Sequence, residues 1–281
     1  MKVFITLITI VFLSLAQDDS ISFDLVINKA NTAMSQALAS YESHYPDKPL
    51  WAEAINWART AFEMEPDNPK SLKTLARTYS YVRWYGRAYE LWDSYLQHGY
   101  SLESLDKELF TQTASKQAYA RYVQGSFTES KKIYEKIIQY TGYDKNAYLW
   151  AARIGLEQNQ SEQPIQYLQS ILSKEDDEPA KYLLSQAFEL KREQDKAQYQ
   201  YRAGLEELQR GEFYQAKLKF LKLIGQNSDN DLAWAALAKA SFLQKYYLDA
   251  FVFYEKASSL KPENSEYRLR MIEAQRLVPS D

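Results

Sequence analysis

The sequence predicts an all-α fold built as an array of antiparallel helix pairs. Three observations predict it. A pattern of apolar and small residues returns every 34 positions along most of the chain. Within each period those residues fall at helical spacing, in two stretches separated by a polar turn. Turn formers are few, with eight Gly and eight Pro in 281 residues, while Ala, Leu, Lys, Glu and Gln abound, which favours long helices over short strands.

The balance of residues narrows the function classes as well. The chain is 46% apolar and 15% aromatic, with 23 Tyr, so it has ample side-chain area to bury and is not a disordered chain. It has no Cys, which excludes a disulfide scaffold, a thiolate metal site, a cysteine nucleophile and a lipid-anchored cysteine at the N-terminus. With 34 basic against 37 acidic residues there is no global reason to expect a nucleic-acid partner.

At the N-terminus, Met1 and Lys2 precede an apolar stretch from Val3 to Leu15, broken only by Thr6, Thr9 and Ser14. Ser14-Leu15-Ala16 then gives small residues before the polar Gln17-Asp18-Asp19. A positive start, an apolar middle and a small-x-small end read as a secretory signal peptide over residues 1–16, cut after Ala16. The stretch is shorter than the roughly 20 apolar residues that a membrane span needs. Loss of Lys2 would move the formal net charge from −3 to −4. The expected product is exported, periplasmic or extracellular, with no stable membrane insertion after cleavage.

Residues 17–34 form a lead-in that is partly helical. Residues 35–68 match the period chiefly in their second half, through Ala54, Ala61 and Pro66. Residues 69–102 carry Leu72, Leu75, Ala76, Tyr79, Tyr85, Ala88 and Trp92 in register. An insert at 103–110 follows, read as a longer loop or an extra helical turn. Residues 111–144 resume with Ala118, Gly125, Phe127, Ser130 and Tyr134, and residues 145–178 with Tyr148, Ala151, Ala152 and Pro164. A second break at 179–196 holds Tyr182, Leu183, Leu184, Ala187 and Phe188 at helical spacing. It reads as an extra helix or an out-of-register repeat, and the helix from about 194 to 209 fits either neighbour. Residues 197–230 bring Gly204, Gly211, Phe213, Ala216 and Phe220. Residues 231–264 set Trp234, Leu237 and Ala238 on one helix, and Ala250, Tyr254 and Ala257 on the next, before Pro262. Residues 265–281 hold a capping helix with Leu269, Ile272, Ala274 and Leu277, then a short tail.

This combination resembles the tetratricopeptide repeat, a helix–turn–helix unit marked by Trp, Leu, Gly and Tyr, then Ala, Phe, Ala and a closing Pro. The resemblance implies a right-handed superhelical solenoid in which the first helix of each repeat lines a concave face. It also implies a protein-binding scaffold rather than an enzyme. Exported proteins of this kind often serve cell-envelope assembly, secretion or polysaccharide export.

The turns are consistent with that frame. Pro66-Asp67-Asn68-Pro69, Ser228-Asp229-Asn230-Asp231 and Pro262-Glu263-Asn264-Ser265 each stop one helix and cap another. Glu175-Asp176-Asp177-Glu178 lacks the glycine and distal glutamate of a calcium loop and reads as an acidic helix start. His44 and His98 stand apart, without a metal-ligand or nucleophile pattern, and read as surface or turn residues. Asn159-Gln160-Ser161 has the form of a glycosylation acceptor. No glycine-rich phosphate loop or nucleophile elbow can be written, so no catalytic residue, cofactor or metal is expected.

In the proteins this chain resembles, positions 2, 5, 6, 9 and 13 of each repeat point into the concave face. Across five repeats these positions give Lys70, Lys73, Arg77, Lys116, Arg153, Arg202 and Lys239, with Glu157 as the sole acid. Tyr81, Tyr119, Trp150 and Tyr201 supply aromatic rings. A basic, aromatic groove on an acidic chain would concentrate a protein or peptide partner with acidic, extended character. The competing reading is a salt-bridged surface, in which Glu and Asp neighbours engage the cations and Tyr119 and Trp150 pack between helices. A glycan or peptidoglycan-peptide module using the aromatic rings is the alternative function.

Overall fold

The computed structural model describes residues 21–279; the predicted signal peptide lies outside them. Among the described residues there are thirteen helices and no strand. The chain divides into two compact units, the first reaching residue 158 and including 166–181, the second comprising 159–165 and the residues from 182 onward.

Seven helices lie wholly in the first unit: α1 (Phe23–Ser40), α2 (Pro49–Met64), α3 (Pro69–Tyr81), α4 (Tyr85–Gln97), α5 (Ser104–Val123), α6 (Phe127–Thr141) and α7 (Lys145–Glu157). Next in the chain come α8 (Glu162–Leu172) and α9 (Glu178–Gln209), each of which has residues in both units. The second unit continues with α10 (Phe213–Gln226), α11 (Asp231–Leu243), α12 (Tyr247–Leu260) and α13 (Ser265–Leu277). Successive helices pack on one another from α1 to α7 and from α10 to α13, most extensively within α1/α2, α11/α12, α5/α6, α12/α13 and α3/α4. In the first unit α3 also touches both α1 and α5, so alternate helices share one face.

Small residues set the helix spacing and aromatic residues fill what remains. Ala54, Ala58, Ala88, Ala114, Ala118 and Ala151 are fully buried in the first unit, beside the equally buried Trp51, Trp92 and Phe110. The second unit repeats the scheme with Ala216, Ala233 and Ala240 around Phe220, Leu223 and Leu237. Trp51 Nε1 is buried without a hydrogen-bond partner among the described residues, whereas the indole N–H of Trp92 is satisfied. Trp92 Nε1 donates to Ser80 Oγ at 3.0 Å, Thr113 Oγ1 donates to the same oxygen at 2.9 Å, and Ser80 Oγ donates to the Ala76 carbonyl at 2.7 Å.

Five turns between paired helices place one residue in the left-handed region: Arg83, Gly125, Asn159, Gly211 and Lys245, with φ of 62°, 78°, 60°, 80° and 66°. All five occupy the fifteenth position of a 34-residue period. At four of them the same hydrogen bonds close the helix, as in Trp84 N to Tyr79 O and Tyr246 N to Ser241 O, both 2.9 Å. The predicted caps form too. Asn68, Asp177, Asn230 and Asn264 each accept from a first-turn backbone N–H at 2.8 to 3.1 Å.

Where the period breaks, the helices run on. Residues 104–110 are the first turns of α5, so the insert is helical rather than a loop. Residues 179–209 belong to one continuous helix, because the stretch from Leu190 to Gln198 contains neither Gly nor Pro and consists mostly of good helix formers. At the other end, α1 joins the lead-in to the start of the first repeat and stops before Pro46 and Pro49.

The histidines lie near helix ends. His98 is exposed, with Nδ1 2.8 Å from the Ser94 carbonyl oxygen. His44 is half-buried in the α1–α2 connection, its ring edge-on to Trp51 at 5.3 Å. No helix among the described residues is long and apolar enough to cross a membrane.

Candidate functional site

Helical periodicity puts positions 2, 5, 6 and 9 of each first helix on one side. In the second unit this brings together Tyr201 and Arg202 of α9 with Lys239 of α11. They line two adjoining hollows of about 460 and 370 Å³ that share Tyr201, Leu205 and Leu232. Ala235 and Ala236 complete an apolar floor. Helix α13 closes the far side with Glu266, Tyr267 and Arg270, so the predicted cap also supplies part of the lining.

The charges around these hollows are unevenly satisfied. Arg270 Nη1 lies 2.9 Å from Glu273 Oε2, and Arg270 Nε lies 4.0 Å from Glu266 Oε1. Arg202 and Lys239 are exposed and make no ion pair among the described residues. The phenols are held neutral. Burial pushes Tyr254 up to about 12. Burial, with the nearby Asp231 carboxylate, also raises Tyr201. Tyr267 is raised by burial and by donating to Asp231 Oδ2 at 2.8 Å. Tyr201 rests against Phe220, ring centres 5.9 Å apart, which fixes its ring beside the cations. The lining can hold an apolar segment on its floor and carboxylates at its edge.

The first unit treats its predicted cations differently. Lys70 Nζ pairs with Asp24 at 2.8 Å and Lys73 Nζ with Glu103 at 3.0 Å. Arg77 meets the fully buried Asp106 at 2.5 Å and Glu103 at 3.5 Å. Burial would lower the Arg77 pKa, but its bond to Asp106 and the Glu103 charge outweigh that and raise it. The insert therefore neutralises Lys73 and Arg77 from within the chain. Lys116 is exposed and makes no ion pair among the described residues.

Tyr119, Trp150 and Arg153 meet in one cluster. Tyr134 stacks on Trp150 with ring centres 5.9 Å apart and planes within 6°, and Tyr119 and Tyr122 meet it edge-on at 5.5 and 5.2 Å. Arg153 lies over the same indole at 4.9 Å, and Tyr122 donates to Glu157 at 2.7 Å. Tyr119 is half exposed, whereas Trp150 spends its ring on these neighbours. Tyr81 likewise packs on Trp51, centres 5.8 Å apart.

Several residues here escaped the positional reading. Glu266 and Arg270 stand at positions 2 and 6 of the period that begins at 265, so extending the same reading into the capping helix finds both. Glu103 and Asp106 lie in the insert, outside any repeat frame. Tyr122 and Tyr134 fall at other helix positions.

No family model matches the chain, and no curated protein matches it. Among solved structures it is similar to a tetratricopeptide repeat protein from Parabacteroides merdae, 12% identical, covering 88% of this chain and 99% of that one with a TM-score of 0.39. It is also similar to YrrB, a tetratricopeptide protein with an unusual peptide-binding site (16% identical, 78% and 97% covered, TM-score 0.27). A third is the TPR2AB-domain:pHSP90 complex of yeast Sti1 (16% identical, 91% and 84% covered, TM-score 0.29).

Proposed function

We propose that the chain is a tetratricopeptide-type binding scaffold, and that its second unit takes an extended acidic segment of a partner protein along Tyr201, Arg202, Lys239 and Arg270. One observation carries this reading: Arg202 and Lys239 flank an apolar-floored groove without carboxylate partners among the described residues. In the first unit Lys70, Lys73 and Arg77 are paired with carboxylates, whereas Lys116 is left without an ion pair among the described residues and lines neither hollow of the groove. Unpaired cations beside an apolar floor retain their binding capacity for an incoming carboxylate. The N-terminal sequence supports export, and with it a role in cell-envelope assembly or secretion. Sequencing the N-terminus of the protein made in a bacterial host tests export, with Gln17 as the expected first residue.

The groove is tested with a fluorescein-labelled, extended Asp/Leu peptide and the full-length chain. The double variant Arg202→Glu, Lys239→Glu is expected to weaken binding at least tenfold, and wild-type binding should fall as salt rises. Binding indifferent to both would transfer the function to another surface. Binding of neutral glycans without salt dependence would favour the aromatic alternative centred on the half-exposed Tyr119.

A further inference from the structure

The first unit holds a cleft on the opposite, second-helix side, and its lining is unlike the groove. It has a volume of about 550 Å³ and lies between α2 and α4, with α3 beneath. Phe62, Leu72, Leu75 and Leu91 give it an apolar floor. At one end stand Arg59 and Arg87, whose guanidinium groups both lie over Trp84, at 5.6 and 5.4 Å. Arg59 Nε also donates to the Tyr79 hydroxyl at 2.7 Å, which fixes its direction.

Helices α2 and α4 run the same way, as alternate members of an antiparallel series. About one turn beyond the arginines the same two helices present Glu63 and Glu90. Glu63 stands four positions beyond Arg59 and Glu90 three beyond Arg87, roughly 6 and 4.5 Å along the helices. Two cations and three carboxylates, Asp67 beside Glu63 being the third, thus border one cleft. Asp67 lies 3.7 Å from His98 Nε2, whereas Arg59, Arg87, Glu63 and Glu90 make no ion pair among the described residues. Opposite charges separated along two walls, over an apolar floor, complement a ligand charged at both ends and apolar between.

We infer that this cleft binds a short free peptide, its carboxylate between Arg59 and Arg87, its ammonium between Glu63 and Glu90, and its apolar side chains on the floor. An extended chain covers at most about 3.3 to 3.6 Å per residue, so two extended residues, or three in a bent conformation, match the separation. A guanidinium grips a carboxylate through two parallel N–H bonds, and the prior fixing of Arg59 by Tyr79 and Trp84 lowers the ordering cost of that grip. The volume lies in the range of roughly 300 to 1,000 Å³ typical of small-ligand sites.

The test is calorimetric titration of the full-length chain with Leu-Leu-Leu, its N-acetylated form and its C-terminal amide. The free tripeptide is expected to bind, and blocking either end to weaken it at least tenfold. Arg87→Gln should weaken the free tripeptide about tenfold and leave the amide unchanged; Glu90→Gln should do the same with respect to the acetylated form. Both side chains are exposed, and circular dichroism confirms that each variant folds. The Arg202→Glu, Lys239→Glu variant should bind the tripeptide like the wild type, which separates this cleft from the groove of the second unit. Equal binding of all three peptides, sensitivity to one blocked end only, or no binding at millimolar concentration would each overturn the inference.

Discussion

Arg77 Nε lies 2.5 Å from the carboxylate of Asp106, a fully buried residue of the inserted turns of α5. The other carboxylate oxygen, Oδ2, is buried without a hydrogen-bond partner among the described residues. The pair is thus a buried charge held by one guanidinium. Removing one partner from such a pair costs about 3 to 5 kcal/mol, because the other charge is left uncompensated. Arg77→Met, which leaves the buried Asp106 carboxylate without its cation, should therefore lower the unfolding free energy measured in urea by an amount in that range, and adding Asp106→Leu should restore most of it. Glu103 touches the same guanidinium but is largely exposed, so Glu103→Gln should change stability by less than about 1 kcal/mol.

The left-handed turn residues make a second, purely conformational prediction. An L-residue in that region costs about 1 to 2 kcal/mol, which glycine avoids at the expense of some unfolded-state entropy. Arg83→Gly and Lys245→Gly should each stabilise the chain, by up to about 1 kcal/mol. In the reverse direction, Gly211→Ala should destabilise it by about 1 to 2 kcal/mol. A Cβ at Gly211 would meet nothing within 4 Å, so a loss there reports the backbone alone. Thermal unfolding of the three variants checks both signs.

Those turns also indicate how much could be read beforehand. All five left-handed residues share one register of the 34-residue frame, but only Gly125 and Gly211 stand out in the sequence, because Arg83, Asn159 and Lys245 carry no glycine signal. The groove positions implied by the resemblance to tetratricopeptide repeats put Tyr201, Arg202 and Lys239 on one lining, and helical periodicity keeps such positions on one side of each helix. A salt-bridged surface is the competing reading of those positions, but the frame could not say that Lys70, Lys73 and Arg77 would be the paired cations or name their partners. Their partners Asp24, Glu103 and Asp106 lie 46, 30 and 29 residues away, on α1, at the N-cap of α5 and on α5, and all three stand outside the repeat frame. Nor could it decide the register near residue 194, where a run of helix formers carries no stop signal and α9 continues through.

Gly204 and Phe220 yield a packing prediction. A Cβ on Gly204 would stand 2.7 Å from Phe220 Cε1, inside contact distance of a fully buried ring. Gly204→Ala would otherwise gain about 1 kcal/mol of helix propensity. Overpacking a buried ring costs about 1 to 3 kcal/mol, so the net effect should be a loss. Phe220→Leu destabilises the wild type by opening a cavity, but should cost less in the Gly204→Ala background. A double-mutant cycle in urea measures that coupling; strict additivity would contradict the contact.

Acid should weaken the first unit through two carboxylates. The Asp177 carboxylate is held below its ordinary 3.8 by the backbone N–H of Ala180, then by Lys145. Glu103 is held below its ordinary 4.5 chiefly by its hydrogen bond from Lys73. In both cases the native state favours the ionised form, so the stabilisation is fully present above the unfolded-state pKa. It is lost as pH falls from that value through the depressed native one. Asp177→Asn removes the titrating charge and keeps an acceptor for the Ala180 N–H. Its thermal midpoint should lie below that of the wild type at about pH 7, and the gap should narrow as the pH falls below the ordinary 3.8. A gap that stayed constant over that range would show that the Asp177 charge contributes nothing to the fold.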